Sequence, residues 1–169
     1  MAKKRTQGSA VRARQRQAVA ARRVGIGSKC ACGETRPLAL IRDGDSVICA
    51  ECQRKQHGKT PDDDHHVGGR NNHPATVEVP ANDHRAILSA KQYDWPKEVR
   101  ENPDGSPFLA AAACIRGAAD TIVYVVESVV LWIAHMLEMA HDYLTERLGP
   151  QWWVNTPIEP FSRERKPHV

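Results

Sequence analysis

The sequence predicts an α+β protein on three observations. Four of its five cysteines fall in two tight pairs, Cys30/Cys32 and Cys49/Cys52. A cluster of histidines flanks a short β-like run, "TVEVP", at 76–80. The apolar residues concentrate in one helical-looking stretch near the C-terminus. These features divide the 169 residues into a basic N-terminal arm (1–29), a cysteine- and histidine-bearing unit (30–96), a Pro-rich linker (97–107), a helical region (108–148) and a C-terminal tail (149–169).

Charge separates the arm from the body. Residues 1–29 carry nine Lys or Arg and no acid, leaving 15 basic against 20 acidic groups elsewhere, a net of −5. Arg12, Arg14, Arg16, Arg22 and Arg23 lie at helix-compatible spacing with almost no apolar stripe. Such a segment is expected to be helical on a polyanion such as DNA and disordered alone, with a solvated tail as the rival reading. No apolar run follows the initial charges, so no secretory leader is expected and a cytoplasmic location follows.

The cysteines read as C-x-C, sixteen intervening residues, then C-x-x-C. Each tight pair aims two sulfurs at one centre, and the Asp-Gly of "LALIRDGDSVI" supplies a hairpin turn that brings the pairs together. Four thiolates around one ion describe a closed, structural Zn²⁺ site, a zinc-ribbon hairpin. Metal binding would then supply folding free energy to a region poor in apolar residues. Four reduced buried thiols are the alternative. Cys114, inside the apolar stretch, reads as a core residue.

Residues 53–75 are polar and rich in Gly, Asp and Asn, and read as loop. "TVEVP" alternates like a strand, and "NDHRAILSAKQY" from Asn82 opens with helix N-cap types before helix formers. In 108–148, Arg116, Asp120, Glu127, Glu138, Asp142 and Glu146 share one face at 3.6 residues per turn, and most of the rest is apolar. This predicts one long helix, or a helical hairpin broken near Gly117. A membrane span is disfavoured, because the longest charge-free run, 128–137, has only ten residues where about twenty are needed. Packing against the rest of the chain, or a homo-oligomer through this helix, is expected instead. Trp152 and Trp153 are expected to fold back as a cap.

The chemistry concentrates in "DDDHHVGGRNNHPATVEVPANDHRAI", residues 62–87. Neutral imidazole can take a proton or bind a divalent ion, and two adjacent histidines divide naturally into one of each. His84, opening the helix after the strand, is placed to close a metal site from the opposite side. The bland reading leaves His65, His66, His73 and His84 as solvated or helix-start residues.

The run "HHVGGRNNHPATVEVPANDHRAILSAKQYDWP" resembles the core of the HNH (His-Me finger, ββα-metal) endonucleases, small phage and bacterial type. With the upstream cysteines the likeness covers about residues 30–96. It implies a ββα-metal-like core, His65 and His84 as ligands of a divalent ion (Mg²⁺ or a transition metal), and His66 as general base. Asn72 would hold the base or its loop, with Asn71 as rival, and Arg70 or Arg85 would meet the scissile phosphate. The family pattern has two cysteines just before the final His; this chain has Pro80 and Asp83 there. The implied activity is metal-dependent hydrolysis of DNA phosphodiesters, with a non-catalytic zinc-ribbon module that binds DNA or protein as the alternative.

Overall fold

The computed structural model describes residues 2–161; residues 162–169 of the expected tail lie outside them. The chain divides into two compact units, Met1–Tyr124 and Val125–Val169.

In the first unit, α1 (Ala2–Val24) is a 23-residue helix. The strands β1 (Leu40–Asp43) and β2 (Ser46–Cys49) form an antiparallel hairpin with Leu40 opposite Cys49. Gly44 takes φ +59 at its turn, as the Asp-Gly signal requires. Cys49 then N-caps α2 (Ala50–Gln56). The strands β3 (Asp62–His66) and β4 (Thr76–Pro80) form a second antiparallel pair, with His65 opposite Val77 and His66 opposite Thr76.

Helix α3 (81–92) follows without a loop. It is α-helical over Ala81–Asp83, widens into a π turn over His84–Leu88, and returns to α over Ser89–Gln92. Helices α4 (Lys97–Glu101) and α5 (Pro107–Val125) complete the unit. The observed order is therefore an N-terminal helix, a cysteine hairpin and a β–β–α core closed by further helices.

Three expectations need revision. The loop expected over 53–75 contains the end of α2 and the whole of β3. "DDDHH" has no intrinsic strand preference, and pairing with β4 overrides it. The arm is not free: Ala20 and Val24 are buried, Val24 packs with Cys30, Leu40, Ile48 and Cys49, and Arg16 pairs with Asp94 at 2.7 Å. The expected linker also folds. Val99 on α4 packs against Trp95 and Ala113, while Asn102, in the left-handed region at φ 40, holds Ser106 through its side chain.

Contacts made by α5 fix the core. Trp95 donates its indole N–H to Asp120 Oδ2 at 3.0 Å, and Tyr124 packs with Val79 and Leu88. A Cβ on Gly117 would lie 1.6 Å from Val67 O, so only glycine lets this helix approach the loop after β3.

The second unit holds a π segment (Val126–Val130) and α6 (Leu131–Leu148). Trp153 and Trp152 lie with ring centroids 5.8 and 6.2 Å from that of His141, folding back on α6 as expected. Most large apolar side chains of this unit are exposed, among them Val129, Ile133, Met136 and Leu137. By length and composition the helical stretch Pro107–Leu148 is long and apolar enough to cross a membrane, and almost none of its most apolar window is buried.

Candidate metal centre and histidine pocket

The cysteine hairpin brings Cys30, Cys32, Cys49 and Cys52 together with all four sulfurs within 4.8 Å of one another. Bonds of about 2.3 Å in a tetrahedron require sulfurs about 3.8 Å apart, and Cys32 and Cys49 Sγ lie 3.5 Å apart. Backbone shapes the nest: Gly33 turns the first pair at φ +98, and Cys52 donates its N–H to Cys49 Sγ at 3.4 Å. Burial pushes the Cys30 thiol up, but hydrogen bonds from the backbone at Cys32 and Cys49 outweigh it and bring it to about 7. Cys52 moves upward instead, chiefly through its hydrogen bond with Cys49. Neighbouring thiols thus resist joint ionisation, and four thiolates coexist there only around a cation. These four residues fit a metal ion such as zinc.

Position 83 holds a polar junction. Arg36, in the loop after the first cysteine pair, reaches Asp83 Oδ1 at 2.7 Å. It also forks onto Glu34 at 2.7 Å, and this guanidinium lowers the Glu34 pKa. Tyr124 donates its hydroxyl hydrogen to Asp83 Oδ2 at 2.9 Å. One residue earlier, Asn82 is buried and accepts the Glu51 N–H at 3.2 Å, so it locks α3 to α2 rather than capping α3. Hydrogen bonds and the two ion pairs of Arg36 hold this junction.

Strand alternation splits the adjacent histidines. His65 is 1% exposed, while His66 lines a cavity of about 360 Å³ with Asp64, Arg70, Asn71, His84 and Gln92. The His65 and His84 rings meet edge-on with centroids 5.2 Å apart. Asp63, on the same strand face as His65, holds His84 Nδ1 at 2.9 Å. Burial, then the charges of His84 and His66, lower the His65 pKa to about 4, so its imidazole is neutral. The Nδ1 atoms of His65 and His66 are both buried without a hydrogen-bond partner. Among the described residues, however, only the cysteine quartet gathers three or more ligand atoms of the metal-binding types.

No family model, curated protein or solved structure matches the chain. The likeness to HNH endonucleases therefore rests on the motif residues of the sequence alone.

Asn72 serves the loop. Its amide donates to Gly68 O at 3.1 Å and Val99 O at 3.0 Å, tying the segment after His66 to α4. Asn71 reaches Glu101 O at 3.4 Å from the cavity wall. Of the arginines, Arg12, Arg14, Arg22, Arg23 and Arg70 are exposed, Arg85 is half-buried, and Arg16 is taken up by Asp94.

Gln92 escaped the sequence reading, and Asp63 is legible there only with Asp62 and Asp64, as aspartates that either help hold metal or face away. Gln92 donates to His66 O at 2.7 Å and lies 3.3 Å from His65 Nε2; it stands two helical turns beyond His84, a periodicity that could have found it. Asp63 stands two residues before His65, and the period of a strand could have placed it on the same face.

Proposed function

We propose that the chain is a metal-dependent HNH-type DNA endonuclease, hydrolysing phosphodiester bonds at the histidine cavity. The observation that carries this reading is the His66 ring, set in a cavity wall with Arg70 and His84. His66 takes a proton from water there, and the resulting hydroxide attacks phosphorus. The P–O3′ bond breaks and the departing O3′ takes a proton from water, leaving 5′-phosphate and 3′-hydroxyl ends, while His66 later gives its proton back to solvent. Arg70 meets the phosphate oxygens.

His65 and His84 would hold the divalent ion. With His84 Nδ1–H donated to Asp63, the lone pair at Nε2 is free for a metal, the arrangement by which carboxylates commonly orient ligating histidines. When bound, the ion supplies charge stabilisation at the leaving oxygen. Gln92 holds the backbone at His66, and Asn72 fixes the loop that carries Arg70. The test is nicking of plasmid DNA across Mg²⁺, Mn²⁺, Ni²⁺ and Zn²⁺, with His66→Ala as control. Unchanged nicking by that variant would remove the proposed base.

A second reading is a zinc-ribbon module that binds DNA or protein without chemistry. It is favoured by the fact that only the cysteines, among the described residues, present a preassembled ligand set. One tight Zn²⁺ per chain, no second divalent site and no nicking would establish it.

The exposed apolar face of the second unit is proposed as the seat of a second copy of this chain. Charge pattern argues against a bilayer as the occupant: Glu127 lies within the apolar run and Glu138, Asp142 and Glu146 follow it. Each carboxylate near a bilayer centre costs about 2.5–3.5 kcal/mol. In a helical pair the same charges face water while Val129, Ile133, Met136 and Leu137 meet their counterparts.

A further inference from the structure

On the α1 side of α3 lies a second cavity, of about 420 Å³, lined by Arg12, Arg16, Arg23 and Arg85 and by an apolar wall that includes Val19 and Leu38. The charge there is poorly balanced. Arg16 is neutralised by Asp94, and Arg23 makes one long hydrogen bond, to Leu40 O at 3.4 Å. Arg12 and Arg85 form no hydrogen bond or ion pair with any described residue, although Arg85 is half-buried on a packed helix. Burial, then the nearby Arg23 charge, lower the Arg85 pKa, and the Asp63 carboxylate, outside the cavity lining, offsets this only in part. A guanidinium removed from water and crowded by another cation is costly unless an anion joins them. No carboxylate lines this cavity.

We infer that this cavity seats a backbone phosphate of a nucleic-acid strand, gripped by Arg12, Arg23 and Arg85, with its sugar against the Val19 and Leu38 wall. A planar guanidinium suits a phosphate's paired oxygens, and apolar lining beside the charges suits a nucleotide better than a bare inorganic ion. Tyr93 is exposed and lines both this cavity and the histidine cavity. A strand held at His66 can therefore run past Tyr93 into the arginine seat. The arginine seat deepens the nuclease reading without depending on cleavage, because a chain that holds DNA and leaves it intact would use the same grip.

The test is fluorescence anisotropy with a labelled DNA oligonucleotide and the full, zinc-loaded chain, over a series of salt concentrations. Arg12→Gln/Arg23→Gln/Arg85→Gln is expected to weaken binding at least tenfold near 0.1 M salt. It should also flatten the slope of log affinity against log salt by about 0.9 for each phosphate no longer neutralised. Arg14→Gln/Arg22→Gln, on exposed positions of α1 outside the cavity, should cost clearly less. Arg12→Gln alone, at an exposed side chain that holds nothing in the fold, keeps the test decisive if the triple variant fails to fold. Equal weakening by the cavity and control variants would overturn the seat in favour of diffuse attraction. Inorganic phosphate that binds through Arg85 by calorimetry, with no oligonucleotide competing, would overturn the nucleic-acid assignment. Both readouts are separate from nicking, so an inactive His66 pocket leaves this result interpretable.

Discussion

Asp83 accepts hydrogen bonds from Arg36 at 2.7 Å and from Tyr124 at 2.9 Å, one on each carboxylate oxygen. A single carboxylate thereby joins the cysteine hairpin, the start of the helix that bears His84, and the closing helix α5. Asp83→Ala should lower the stability of the first unit by about 1–2 kcal/mol, since it removes one neutral and one charged hydrogen bond, the latter discounted because Arg36 is partly exposed and keeps Glu34. Asp83→Asn, which keeps the shape, should cost less. Urea denaturation followed by circular dichroism measures both; equal stability of Asp83→Ala and the native chain would show that the junction is ornamental.

Removal of metal should be far more damaging. Cys49 is fully buried at the base of the quartet, and structural zinc sites of this kind contribute about 10–16 kcal/mol of apparent binding free energy at neutral pH. We expect one tightly held zinc per chain by elemental analysis, and loss of cooperative unfolding in Cys49→Ser or after strong chelation. A metal-free chain with an unchanged melting profile would contradict the site.

At Gly117 two effects of opposite sign compete. Alanine is favoured over glycine inside a helix by about 1 kcal/mol. Its Cβ, however, would sit 1.6 Å from Val67 O and 2.5 Å from Val67 C, which are backbone atoms with little freedom to yield. The clash wins, and Gly117→Ala should destabilise by at least about 3 kcal/mol or unfold the unit. Gly58→Ala is the contrast: its φ of +66 is strained for alanine but nothing lies within 4 Å, so a loss of about 1 kcal/mol is expected. Thermal melting of the two variants side by side decides the matter.

The histidines should separate by role. His66→Ala is expected to reduce nicking by about 10²–10⁴-fold, the usual worth of a general base, while leaving the melting temperature near native. His84→Ala should weaken activation by the divalent ion and be partly compensated at higher metal concentration. Titrating activity against metal for each variant distinguishes them, and identical metal dependence would remove His84 from the ligand set.

For the second unit, Ile133→Glu or Leu137→Glu should shift the chain from dimer to monomer in light scattering coupled to size exclusion. Both side chains are more than half exposed, so the substitutions should not disturb the fold of the isolated unit. A native chain that is already monomeric, and soluble only with detergent, would instead identify a bilayer as the partner.

Local chemistry in the chain was enough to place the metal-type quartet, the hairpin between its pairs, β4, the helix that bears His84 and the long C-terminal helix. Spacing and turn residues act over a few positions and read the same in any context. The strand character of "DDDHH", the docking of a basic helix through Ala20, Val24 and Arg16, and the folding of 97–107 around Val99 were decided only by tertiary contacts. In each case a partner distant in sequence supplies the stabilisation that local propensity lacks. The same holds at the histidine pocket. The imidazoles announce themselves by type, but which one is buried, which opens to solvent, and which carboxylate orients His84 follow from β3 pairing with β4 and from α3 packing across them.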